Sequence, residues 1–199
     1  MKPTILAFGD SLTEGYGLAS SQSFPSQLET LLQARHPGAA VINAGRSGDT
    51  TISAADRLPQ VLSQLGRRRD LVPDLVPNLV IVELGANDLL QGIPLETTSA
   101  NLDAILFELG RRGFPALLAQ MEPPAFLGAF ARGCAAIYTE LGARHGVAVA
   151  PFLPKGIIGN PALTLRDRVH PNAAGTALIA REFLPAVERE LDRLTRQAA

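Results

Sequence analysis

Five short stretches of the chain are apolar almost without interruption: residues 4–8 (TILAF), 40–44 (AVINA), 79–84 (LVIVEL), 116–120 (ALLAQ) and 147–151 (VAVAP). Their length suits strands, and their lack of alternation suits strands covered on both faces, as in a parallel sheet. Between them, apolar positions recur at helical spacing. Residues 23–35 set Phe24, Leu28, Leu31 and Leu32 on one stripe. Residues 97–112 do the same with Leu102, Ile105, Leu106 and Leu109, and Gly113 is a fitting stop. A third pattern, 126–145, ends at His145-Gly146. The last helix follows Asn172, a good N-cap, and carries Leu178, Ile179, Phe183, Leu184 and Val187. A further helix is expected near 53–66, marked by Pro59.

Strand and helix patterns therefore alternate along the chain, which predicts an open α/β/α sandwich. Ligands of such sheets gather at the carboxyl ends of the strands. Three strand exits carry polar and small residues: Gly9-Asp10-Ser11, Asn43-Ala44-Gly45 and Gly85-Ala86-Asn87-Asp88. One stretch stands apart. The unit Asp-Leu-Val-Pro occurs at 70–73 and again at 74–77, and its prolines predict an extended connector into the third strand. Two units do not make a solenoid.

Composition narrows the class. A chain of 199 residues, 46% hydrophobic, suits one domain, residues 1–199, with a substantial core. Lys and Arg number 18 against 19 Asp and Glu, so no electrostatic footprint for nucleic acid is expected. The single cysteine, Cys134, excludes an intrachain disulfide and reads as a small buried hydrophobe. No apolar stretch approaches 18 residues, so no stable membrane insertion is expected. The apolar run at the N-terminus is too short for an export signal. The chain as written is expected in the cytoplasm, or in the periplasm or outside the cell if a signal has been removed.

Ser11 stands where a buried strand ends. It either forms a turn or cap, as most such serines do, or acts as a nucleophile, which at neutral pH needs a base. Of three histidines, His36 and His145 lie at helix ends, where contact with the C-terminal dipole accounts for them. His170 precedes the last helix, with Asp167 three residues before it. That spacing lets the carboxylate hold one imidazole nitrogen and leaves the other to take a serine proton. Gly45 and Asn87 are candidate oxyanion donors, the first through its backbone N–H and the second through its amide. Two apolar segments, with Leu89, Leu90 and Ile93 in one and Met121 and Phe126 in the other, either pack as core or flank Ser11 as an acyl groove.

Four blocks occur in order: Gly9-Asp10-Ser11-Leu12; Asn43-Ala44-Gly45 with Ser47-Gly48-Asp49-Thr50; Gly85-Ala86-Asn87-Asp88; and Asp167-x-x-His170-Pro171-Asn172. Together they resemble the SGNH, or GDSL, hydrolases over nearly the whole chain. Within these, the chain is similar to the bacterial thioesterase I/protease I/lysophospholipase L1 subgroup, also described as arylesterases. The resemblance implies a flavodoxin-like three-layer sandwich with a five-stranded parallel sheet and no metal or cofactor. It implies Ser11 as nucleophile, His170 as base, Asp167 as its orienting carboxylate, and an oxyanion hole from Ser11 N–H, Gly45 N–H and Asn87. Asp10 is expected to brace the turn. The substrate implied is a small-molecule acyl ester or thioester. Arg168 and Val169 stand where the subgroup often has Gly-Ile, and the repeated connector resembles an insertion.

Two rivals remain at this stage. A carbohydrate O-acetyl esterase would use the same machinery, although aromatic content of 5% and no Trp leave little for sugar stacking. A non-catalytic flavodoxin-like module would bind an anion at the loop around Ser11.

Overall fold

The computed structural model describes residues 2–69, 77–123 and 128–197. All five apolar runs form strands: β1 (Thr4–Gly9), β2 (Ala40–Gly45), β3 (Leu79–Glu83), β4 (Ala116–Gln120) and β5 (Ala148–Pro151). They make one parallel sheet in the order β2-β1-β3-β4-β5. In this order the connections leave β1 and β3 in opposite directions, and a crevice opens between their carboxyl ends. Ser11 follows β1 and Asn87 follows β3, so the topology brings both to that crevice.

Seven α-helices are described: α1 (Ser11–Glu14), α2 (Phe24–Gln33), α3 (Thr51–Arg69), α4 (Ala86–Gln91), α5 (Leu95–Arg111), α6 (Ala129–His145) and α7 (Ala173–Gln197). The five long ones correspond to the five amphipathic patterns. α3 extends beyond its expected bounds and runs through Pro59. The single-turn α1 and the short α4 have no periodic pattern of sufficient length to announce them. The connector expected at 70–77 lies almost wholly outside the described residues.

Side chains of each strand point alternately to two cores. Ile5 and Ala7 face one core, with Phe24, Leu28 and Leu32 of α2 and Phe183 and Val187 of α7. Leu6 and Phe8 face the other, with Leu58 and Leu62 of α3, Leu102, Ile105 and Leu106 of α5, and Tyr138 and Leu141 of α6. β1, β3 and β4 are covered on both sides, which explains their unbroken apolar sequences, whereas β2 and β5 at the sheet's edges are partly exposed. Edge-to-face contacts among Phe24, Phe152 and Phe183 add geometric definition to the first core. Cys134 is buried and free, in line with its sequence context. No described helix is long and apolar enough to cross a membrane.

Candidate active site

β1 ends on Gly9 because only glycine fits there. A Cβ would lie 2.2 Å from Thr13 Oγ1 and 2.6 Å from the Glu83 carbonyl oxygen. Asp10 then caps α1, its Oδ1 accepting from Leu12 N–H at 2.9 Å. Ser11 is therefore the first residue of a one-turn helix, closed by Gly15 in the left-handed region (φ 90°). The backbone N–H of Ser11 has no hydrogen-bond partner among the described residues.

Ser11 Oγ lies 3.1 Å from His170 Nε2, and His170 Nδ1 lies 2.7 Å from Asp167 Oδ2. The structure thus brings together three residues that span 159 positions of sequence. Asp167 is held in turn by the backbone. Its Oδ1 accepts from Val169 N–H at 2.9 Å and from His170 N–H at 3.0 Å. Those two N–H groups, with the bond to His170, hold its carboxyl down at about 2, so it stays ionised throughout the neutral range. Arg168 makes this arrangement with φ 63°, the one described non-glycine residue at positive φ. A side chain at that φ carries a conformational cost that glycine would avoid. The Tyr16 ring leans on His170, centroids 4.4 Å apart and planes 37° apart, a contact that no sequence signal indicated.

Asn87, in the first turn of α4, points its amide into the same crevice. Its Nδ2 donates to Asp49 O at 2.9 Å and to Asp10 Oδ2 at 3.1 Å. Gly45 requires a correction. It ends β2 with its N–H donating to Asn43 Oδ1 at 2.9 Å, so it offers no free donor. Its lack of a side chain serves packing, because a Cβ would meet Glu14 N at 2.2 Å. The free donor in this loop belongs to Gly48. Residues 46–49 form a turn closed by Asp49 N–H to Arg46 O at 3.1 Å, with Gly48 at φ 83°. Glycine is called for at that place in a type II turn. Gly48 N–H has no partner among the described residues, and nothing lies within 4 Å of where its Cβ would be. The signal in the sequence was the Arg-Ser-Gly-Asp string, a turn motif in its own right.

Beneath the crevice two buried carboxyl groups meet. Glu83, the last residue of β3, accepts from Thr13 Oγ1 at 2.8 Å and lies against Asp10. Burial lifts Asp10 from its ordinary 3.8 to about 6; the Leu12 N–H, Glu83 and the charge of His170 pull it down, and Asp49 pushes it up. Burial, then the charge of Asp10, raises Glu83 well above its ordinary value. Both shifts favour the protonated form in the folded state. The native protein therefore holds protons that the unfolded chain releases between pH 3.8 and about 6. This contribution is full below pH 3.8 and is lost as pH rises through about 6. Glu83→Gln removes one of the two buried carboxyls. Its unfolding free energy relative to wild type should rise as pH climbs above 4.5, the ordinary value of the carboxyl it removes. Urea unfolding at several pH values measures this, and a difference that stays flat with pH would contradict the shared burial.

Of the five residues expected to form an acyl groove, Leu89 and Met121 line one small, mostly apolar pocket with Gly85, Leu95, Thr98, Pro123, and Cys134, Ile137 and Tyr138 of α6. Leu90 is 69% exposed and Ile93 half-buried, and neither contributes to that lining. Phe126 lies outside the described residues. Tyr138 roofs the segment before Asn87, its hydroxyl donating to Leu84 O at 2.8 Å.

The model of the GDSL-like lipase/acylhydrolase family matches residues 7–178. A protein described as arylesterase from Vibrio mimicus is 33% identical over 181 residues, covering 90% of this chain and 85% of the relative. The thioesterase 1/protease 1/lysophospholipase L1 of Escherichia coli K12 is 33% identical over 178 residues, covering 89% of this chain and 79% of that protein. Among solved structures, AlinE4, an SGNH-hydrolase family esterase, is 41% identical, with a TM-score of 0.73 over 96% of this chain and 97% of its own. On the extent of these matches, the chain belongs to the GDSL-like lipase/acylhydrolase family.

Proposed function

We propose that this ester hydrolase cleaves short-to-medium-chain acyl esters and thioesters through an acyl-serine intermediate formed on Ser11. The observation that carries the proposal is the line from Ser11 Oγ through His170 to Asp167, at 3.1 and 2.7 Å. Both distances lie within reach for proton transfer, and the order of groups is that of nucleophile, base and orienting carboxylate.

In the first half-reaction Ser11 Oγ attacks the acyl carbonyl carbon while its proton passes to His170 Nε2. Asp167, accepting at Nδ1, holds the tautomer and stabilises the imidazolium. The carbonyl π pair moves onto oxygen. The tetrahedral adduct collapses as the bond to the leaving oxygen or sulfur breaks and His170 returns the proton to that atom. Water then repeats the sequence on the acyl-serine, releasing the carboxylic acid and restoring Ser11.

The developing oxyanion is assigned to three donors: Ser11 N–H, Gly48 N–H and Asn87 Nδ2. The first two have no hydrogen-bond partner among the described residues. Asn87 would exchange its longer bond, to Asp10, for the oxyanion while keeping Asp49 O. Asn87→Ala is expected to lower kcat by about 10²–10³ with little change in KM. Steady-state kinetics on a p-nitrophenyl ester measure it, and an unchanged kcat would remove Asn87 from the hole.

The small apolar pocket with Leu89 and Met121 also takes in Gly85, two residues before Asn87, so an acyl chain that reached it from Ser11 would gain about 0.8 kcal/mol for each CH₂ buried. Rates on p-nitrophenyl esters of increasing acyl length should climb from acetate by about fourfold for each buried CH₂, then level off where the pocket ends. Negligible rates on every ester would overturn the proposal. Acetyl release from acetylated sugars that exceeds octanoyl-ester hydrolysis would favour the carbohydrate esterase reading instead.

A further inference from the structure

The oxyanion donors stand on three separate loops, so something must fix those loops relative to one another. Arg57, on the second turn of α3, touches two of them directly and reaches the third through Asp49. Its Nη2 donates to Gly9 O and to Ala44 O, each at 3.0 Å. Its Nε forms an ion pair with Asp49 Oδ2. Gly9 lies two residues before Ser11. Ala44 is the next-to-last residue of β2, ahead of the Gly48 turn. Asp49 follows Gly48 directly, and its carbonyl oxygen holds Asn87 Nδ2.

The side chain is 13% exposed and that of Asp49 is 3% exposed, so the pair works away from bulk water. The guanidinium also stacks on the Phe8 ring, 4.3 Å from its centroid, which holds its plane. Ser53 Oγ donates to the other oxygen of Asp49 at 2.9 Å, so the carboxylate is fixed on both sides. A planar fork can meet two carbonyls and a carboxylate together, whereas an ammonium group is a point charge.

We propose that Arg57 is a positioning residue for the oxyanion hole, clamping the ends of β1 and β2 and the Gly48–Asp49 loop into one geometry. It touches no substrate. It acts through Ser11 N–H, Gly48 N–H and, by way of Asp49 O, Asn87. The inference rests on the assignment of those groups as oxyanion donors.

The test is a double-mutant cycle between Arg57→Lys and Asn87→Ala, read on a p-nitrophenyl ester. Arg57→Lys keeps the charge beside Asp49 but not the fork. It should lower kcat by about 10–100-fold, because misplacement near 1 Å costs that much, and should leave KM within about threefold. In the Asn87→Ala background the same substitution should cost distinctly less, since one donor it positions is already gone. Asp49→Asn, which keeps the backbone carbonyl and the volume, should show the same split between kcat and KM. It decides the matter if Arg57→Lys does not fold. An unchanged kcat, a loss expressed in KM, or equal losses in both backgrounds would overturn the role of Arg57. Asn87→Ala alone separates the two levels: if it costs activity, a failed cycle condemns only Arg57, and if it costs nothing, the oxyanion assignment fails and the clamp falls with it.

Discussion

Ser11→Ala is expected to lower kcat by about 10⁵–10⁶ while the protein stays folded. The hydroxyl is the one atom removed, and its single described side-chain contact is His170 Nε2. The helix turn around it is held by groups that the substitution leaves in place: Asp10 Oδ1 on Leu12 N–H, and Ser11 O accepting from Gly15 and Tyr16 N–H. The unfolding midpoint should therefore change little. Steady-state kinetics with a p-nitrophenyl ester, beside thermal unfolding, check both halves. A variant that keeps activity within about tenfold of wild type would show that Ser11 is not the nucleophile.

The second large effect belongs to His170. His170→Ala should cost about as much as Ser11→Ala, about 10⁵–10⁶ in kcat, because an alcohol with no base is scarcely ionised at neutral pH. The more telling result is the double variant. Residues that act as one unit are strongly non-additive, so Ser11→Ala with His170→Ala should be no slower than either alone. The activity that remains would come from binding and the oxyanion donors. Two losses that multiply would mean that serine and histidine work independently, and the 3.1 Å contact between them would have no catalytic meaning. Asp167 needs a gentler probe, since 40% of its side chain is exposed and two backbone N–H groups already share its charge.

Much of this architecture was legible along the chain, for a physical reason. A strand buried on both faces has nowhere to put a polar side chain, so β1, β3 and β4 appear as apolar runs. The polar residue that ends such a run then marks the sheet's edge, and this located Ser11 and Asn87. The contact of His170 with Asp167 was legible because the two lie three residues apart in one loop.

Other parts depend on contacts that no local pattern carries. α1 is a single turn held by Asp10 and Gly15, too short for a helical stripe. Gly45 and Gly48 are three residues apart in one polar loop. Only the three-dimensional structure separates the one that packs against Glu14 from the one that presents a free N–H. Glu83 stands in an apolar run as a charge of no stated purpose until Asp10 is seen beside it. Arg57 carries no local signal along the chain, and its burial follows from its contacts with the ends of β1 and β2. In each case the residue's meaning is set by a neighbour distant in sequence.

Rapid quenching of the enzyme with a p-nitrophenyl ester, followed by intact-mass and peptide analysis, tests the central claim most directly. The account predicts a burst of p-nitrophenol matched by one acyl group per chain, located on the peptide containing Ser11 and absent from Ser11→Ala. An acyl group carried by a different residue, or steady hydrolysis by a chain that never gains acyl mass, would contradict it.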